Sequence, residues 1–300
     1  REVILCGGAI NSPQLLQLSG IGDAALLGPL GIETIVDSKA VGQNLQDHLA
    51  VTYFYKSARP TLNDELYPLA GKIKAALRYL LTRTGPLSMS VNQGGGFVRS
   101  DAGQRTPNLQ LYFSAVSYTK TPLSERRLLS PDPFPAFLLG FNSCRPTSRG
   151  VLRITSRDPM VAPSIRPNYL STEKDVAEAL AGCRLLRKLA ATPPLSEIIT
   201  GEILPGVAVQ SDAELIADFR ARADTVFHPV STCMMGPDPR HAVVDARLCV
   251  HGTRGLRVVD SSVFPTVTSG NTNAPTVMVA EKGAAMIIED DRRLTTRGVR

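Results

Sequence analysis

The sequence predicts a mixed α/β protein in two parts, and three observations lead there. The first residues spell a strand, a glycine turn and a helix start, which is half of a βαβ unit. From about Val51 to Ala223 the pattern changes to short strands separated by Pro/Gly/Ser/Asp clusters, the mark of an antiparallel sheet, with helical stretches beside it. After Asp224 the chain returns to strand and turn and ends in a helix. Three hundred residues make one large domain or two ordinary ones. With 43% hydrophobic and 20% charged residues, the chain reads as globular rather than disordered or fibrous.

Taken in order, Glu2–Cys6 reads as a short buried strand and Gly7-Gly8-Ala9 as a tight turn. Ser12 is placed to cap a helix whose first residue is Pro13, with Leu15, Leu16 and Leu18 as its apolar face and Ser19-Gly20 as its stop. A parallel strand at residue 2 needs neighbours earlier in a chain, and Arg1 is not a methionine, so the expectation is the continuation of a longer polypeptide. Val51–Tyr55, Asn108–Phe113, Ala136–Phe141 and Val151–Ile154 read as strands of the antiparallel sheet. Leu69–Leu81 is helical by the spacing of Ile73, Ala76, Leu77, Leu80 and Leu81. Glu173–Ala191 carries Val176, Leu180, Cys183, Leu186 and Leu189 inward, and a third helix covers Asp212–Ala223. All three read as core packing. Leu256–Asp260 is a strand ending in a carboxylate, Ser269–Pro275 a turn, and Thr276–Glu289 a helix, with a frayed charged tail from Asp290 to Arg300.

Composition removes several function classes. The net charge of +6 comes from scattered residues in which adjacent pairs such as Arg126-Arg127 and Arg292-Arg293 are few. Aromatics are 5% with no tryptophan, so no base-stacking platform and no nucleic-acid partner is expected. No run of eighteen apolar residues exists, so no membrane span is expected, and the first residues do not resemble a signal peptide. Five dispersed cysteines with no CxxC pair fit reduced, mostly buried thiols of a cytoplasmic protein, and four histidines without ligand spacing argue for no metal. Gly20-Ile21-Gly22-Asp23-Ala24-Ala25 satisfies GxGxxG/A, but it follows a helix and reads as chance; Gly94-Gly95-Gly96 reads as a bend.

Three features are candidates for chemistry. His228 lies in an apolar stretch, where a lone histidine is usually a satisfied core residue. Asn271 and Asn273 precede a helix that they could simply cap, although amides beside free helix N–H groups also suit a developing negative charge. Asp260 ends a strand, where cofactor ligands gather in α/β folds and where a turn aspartate is equally at home. His48 could pair with Asp47 or cap a turn. A Ser12–His228–Asp260 triad lacks the GxSxG elbow.

Together the segments resemble the glucose–methanol–choline (GMC) flavin oxidoreductases, nearest the choline- and alcohol-dehydrogenase branch. The resemblance rests on Gly8–Leu16 with Leu18–Gly22, Val41–His48, His228–Thr232 with Met235-Gly236, Val258–Pro265 and Thr268–Thr276. It spans the chain but lacks the family's N-terminal dinucleotide-binding segment. It implies a partial FAD-binding Rossmann-like domain from residues 1–50 and 224–300, and a substrate-binding domain from 51–223. The activity it implies is FAD-dependent oxidation of an alcohol to an aldehyde or ketone. His228 would be the general base, near-neutral imidazole suiting that work, and Asn271, with Asn273 as the alternative, would donate a hydrogen bond to the alkoxide. Gly8, Ala9, Asp260, Ser261, Asn273, Pro275 and Thr276 would line FAD, the last helix turning its N-terminus to the flavin. The partners implied are a small-molecule alcohol and an electron acceptor (oxygen, quinone or a carrier protein), with a homodimer as an option. Absence of tryptophan weakly disfavours a choline-type cation cage. A flavin-containing lyase without redox turnover, or an inactive fragment unable to bind FAD, stay open as alternatives. Ser231 stands where the family usually has glycine, a substitution that costs about 1 kcal/mol or more only where φ is positive.

Overall fold

A computed structural model describes residues 2–119 and 130–296, with side chains as far as residue 293. The Arg126-Arg127 pair and the last four residues lie outside the described residues. The strands are β1 (Val3–Leu5), β2 (Ile21–Gly22), β3 (Val36–Asp37), β4 (Leu49–Ser57), β5 (Gly94–Val98), β6 (Leu109–Ser114), β7 (Ala136–Ser143), β8 (Val151–Arg153), β9 (Ser164–Arg166), β10 (Ile199–Leu204), β11 (Asp224–Thr225) and β12 (Leu256–Val258). The helices are α1 (Gly8–Leu18), α2 (Ala24–Leu27), α3 (Leu62–Leu66), α4 (Leu69–Thr82), α5 (Glu173–Ala190), α6 (Leu195–Ile198), α7 (Asp212–Arg222) and α8 (Asn273–Thr296). No helix among the described residues is long and apolar enough to cross a membrane.

Two units emerge. The first holds residues 1–48, 145–175 and 225–300, the second residues 49–144 and 176–224. Residues 145–175, expected with the middle of the chain, belong to the first unit. Their β8 pairs with β9 as a separate antiparallel ribbon, so Val151–Arg153 is not a strand of the main sheet. Backbone bonds explain the assignment: Leu45 and Gly150 exchange N–H···O contacts of 3.0 and 2.8 Å, and the Leu152 N–H reaches the Gly42 carbonyl at 2.7 Å.

In the first unit β1 runs parallel to β12, and β2 parallel to β3. The core is built from Leu16, Val41, Val230, Val244, Val258 and Val263 with their neighbours. Three expectations need correction here. β1 is not buried: Val3 is 59% exposed, because among the described strands β12 alone flanks it. Helix α1 begins at Gly8 rather than after Ser12, and its buried face includes Gln17 while Leu15 is exposed. The Gln17 amide repays burial by bonding the Leu152 carbonyl (3.2 Å) and the Ile154 N–H (2.8 Å), a contact no helical period reveals. The tail is helical to Thr296, since Asp290 is gripped by Arg247 and by the buried Arg257 of β12, which also holds Glu2.

The second unit is an antiparallel sheet in the order β10-β4-β7-β6-β5. Its central β7 is buried along nearly its whole length, which is why its sequence reads as a continuous apolar run. Gly94-Gly95-Gly96 is an edge strand rather than a bend, because ladder bonds come from the backbone and need no side chain. The leucine face of α4 is not core: Leu69, Ile73, Leu77, Leu80 and Leu81 are all exposed and only Ala75 is buried. Small residues make the packed side, since a Cβ on Gly71 would lie 1.9 Å from the Glu65 carbonyl oxygen. Periodicity identifies an apolar stripe without saying what covers it.

Candidate active site

The site is assembled within the first unit. Proline lacks an N–H, so Pro13 inside α1 leaves the Ala9 carbonyl without its helical partner. The Thr232 hydroxyl donates to that oxygen at 2.7 Å. One turn away, Asp260 accepts the Gly8 N–H (2.9 Å) and the Ser12 hydroxyl (2.6 Å) on one oxygen and the Ser262 N–H (2.8 Å) on the other. The Ser261 hydroxyl donates to the Pro229 carbonyl at 3.3 Å. The start of α1, the turn after β12 and the segment 229–232 are therefore one hydrogen-bonded assembly. Ser231 within it has φ 73°, the left-handed region that glycine favours, and its buried hydroxyl has no partner among the described residues.

His228 follows Phe227, another residue with positive φ (61°). Its backbone N–H donates to Asp47 Oδ1 at 2.8 Å, as does that of His48 at 2.9 Å. The other Asp47 oxygen accepts the hydroxyls of Tyr169 (2.6 Å) and Thr225. One buried carboxylate thus fixes the main chain under both histidines. The rings meet edge to face at 85°, with Nδ1 to Nδ1 at 3.0 Å. On the far side of its ring, His228 Nε2 lies 3.2 Å from Asn271 Nδ2. Desolvation holds the His228 pKa below the ordinary 6.5; the neighbouring His48 lowers it further, and Asp47 works in the opposite direction. A largely neutral ring with one nitrogen beside an amide donor can take a proton while the amide steadies the oxygen left behind.

The structure therefore brings His228 and Asn271 together. It brings Gly8, Ala9, Asp260 and Ser261 into the adjoining assembly, where both Asp260 oxygens are engaged in tying backbone and side chain. Asn273, Pro275 and Thr276 form the first turn of α8, two residues beyond Asn271. Thr276 donates its N–H and its hydroxyl to the Thr272 carbonyl, at 3.0 and 2.6 Å. From sequence alone His48 has a lesser part; in the structure its ring meets that of His228. From sequence, Asp47 enters only as a neighbour of His48, and Tyr169 does not enter at all. The Val41–His48 segment holds the signal for Asp47 and His48, whereas nothing in the sequence marks Tyr169.

These features fit a large anionic cofactor. Gly8 has φ +74° with open space where a Cβ would stand, so the backbone at the start of α1 is open to close approach. The exposed first turn of the 24-residue α8 offers N–H groups without intrahelical partners to a negative charge.

Comparison with known proteins identifies the family. Profiles described as GMC oxidoreductase match residues 1–50 and 146–280, and the chain belongs to that family, whose members are FAD-dependent flavoproteins. It is 41% identical to an alcohol dehydrogenase [acceptor] of Pseudomonas putida, over 96% of this chain and 51% of the relative. It is 43% identical to the mitochondrial choline dehydrogenase of Mus musculus, over 96% of this chain and 47% of the relative. A formate oxidase of Aspergillus oryzae shares the fold with a TM-score of 0.88 at 28% identity, covering 98% of this chain and 55% of that one. The chain spans about half the length of the curated relatives it matches.

Proposed function

We propose that this chain carries the proton-accepting half of an FAD-dependent enzyme that oxidises an alcohol CH–OH to a carbonyl. His228 Nε2 takes the hydroxyl proton, and Asn271 Nδ2 donates to the oxygen as negative charge develops on it. FAD, when bound, supplies the acceptor for the hydride leaving the α-carbon. Gly8, Ala9, Asp260, Ser261, Asn273, Pro275 and Thr276 are the residues that would hold it. The observation that carries the reading is the 3.2 Å approach of the Asn271 amide to Nε2 of a histidine that is only 8% exposed. A substrate oxygen within reach of both nitrogens needs no further proton relay, and burial strengthens each contact.

The test is anaerobic bleaching of the flavin by a primary alcohol in the protein carrying this chain. Bleaching is expected with the native residue, and His228→Ala should slow it by about 10²- to 10⁴-fold, the usual worth of a positioned base. Undiminished bleaching in the variant would overturn the assignment. Turnover of substrate with the flavin left oxidised would point to a lyase instead.

A further inference from the structure

Resting on that reading of His228, we infer that His48 is a positioning residue. Its Nδ1 accepts the Nδ1–H of His228 and so keeps the lone pair of the base on Nε2. Two ring nitrogens 3.0 Å apart share one proton, because two lone pairs or two N–H groups would repel at that distance. The question is which ring owns it. An amide NH2 only donates, so Asn271 Nδ2 at 3.2 Å requires Nε2 of His228 to be the acceptor. A neutral imidazole with a bare Nε2 carries its hydrogen on Nδ1. That hydrogen points at His48, whose Nδ1 must then be bare and whose own proton sits on Nε2. The alternative assignment reverses every bond in this chain and leaves the base with an Nε2–H that cannot accept a proton.

The surroundings make the choice durable. His48 is fully buried and His228 nearly so, so bulk water does not compete for the shared hydrogen. Asp47 holds both backbones through its Oδ1, which prevents the rings from drifting out of register. His48 meets the base at Nδ1, and Asn271 meets it at Nε2 on the other side of the ring. Its effect on chemistry passes through the ring of His228, as the outer partner of a working histidine sets its tautomer elsewhere.

The experiment is ¹⁵N NMR of this chain with labelled histidine, without flavin, at a pH above the His228 titration. Only His48, His228, His241 and His251 contribute, and sequential backbone assignment of a uniformly ¹³C,¹⁵N-labelled sample of the unsubstituted chain tells the four rings apart. The expected spectrum has a protonated Nδ1 and a bare Nε2 for His228, with the reverse for His48. A bare Nδ1 on His228 overturns the inference, and that measurement needs no variant to fold. In His48→Phe the His228 proton should move toward Nε2, with turnover of the flavin-loaded protein falling about 10- to 100-fold. His48→Gln, whose amide oxygen accepts the same hydrogen, should recover most of both. An unchanged His228 tautomer in His48→Phe also overturns the inference. Failure of the functional reading looks different: His228→Ala then keeps its turnover while the wild-type nitrogen signals stay as expected.

Discussion

Ser231→Gly should stabilise the protein, against the usual direction of glycine substitutions. Ser231 sits at φ 73° with its side chain fully buried and its hydroxyl unpartnered among the described residues. The left-handed conformation costs a non-glycine residue about 1 kcal/mol or somewhat more, which glycine recovers. An orphaned buried hydroxyl costs about 1 kcal/mol at the low end, which glycine also recovers. Against these stands about 0.5–1 kcal/mol for the extra freedom glycine gains in the unfolded chain. The net expectation is a gain of about 1 kcal/mol, and for a chain of this length a rise in Tm of about 2 °C. Ser231→Ala separates the two contributions, since it removes the hydroxyl and keeps the Cβ; it should gain about 1 kcal/mol and be no more stable than the glycine variant. Both variants are read by urea unfolding with matched m-values. An alanine variant more stable than the glycine one by about 0.5 kcal/mol or more would mean the backbone is unstrained there. A glycine variant less stable than the parent would refute both parts of the reasoning.

Three further expectations follow from the same contacts. The His228 pKa lies below 6.5 in the folded state, so the unfolded chain binds more protons just under that value. This group's contribution to stability should therefore be lost as pH falls through and below 6.5 and level off above it, and the acid limb of kcat/KM should also lie below 6.5; a limb above it would contradict the burial argument. Arg257→Ala leaves Glu2 and Asp290 without the buried cation that ties α8 to β12, and should cost about 3 kcal/mol in denaturant unfolding, whereas a loss under about 1 kcal/mol would class the cluster as a surface network. Gly42→Ala would push a Cβ to 2.1 Å from the Leu152 carbonyl at φ +80°, and a loss of at least about 3 kcal/mol is expected from the same measurement, a neutral result showing that the β8 ribbon can shift away.

What the sequence reveals and what it hides divide along physical lines. Long helices such as α5 and α7, and strands such as β4 and β7, announce themselves because periodicity and caps are local properties. The pair His228 and Asn271, 43 positions apart, is legible only through motifs, since no local rule says that two polar residues will converge. Asp47 escapes notice because it works by accepting backbone N–H groups, which every residue but proline carries. The helix boundary at α1 is misread because Pro13 is acceptable inside a helix only when something else satisfies Ala9, and that partner lies 223 positions from the carbonyl. The α4 stripe is misread for the opposite reason: its apolar side is plain, and its burial is not a property of the stripe.

The proline within α1 also bears on the order in which the chain assembles. A segment with a gap in its own ladder is a weak helix in isolation. Its vacant acceptor is filled by a hydroxyl from the stretch that bears the imidazole, so the early part of the chain can be completed only after a much later part has been made. Synthesis on the ribosome would then leave α1 incomplete until Thr232 has emerged, and its amide protons should be slow to exchange only once that contact is made.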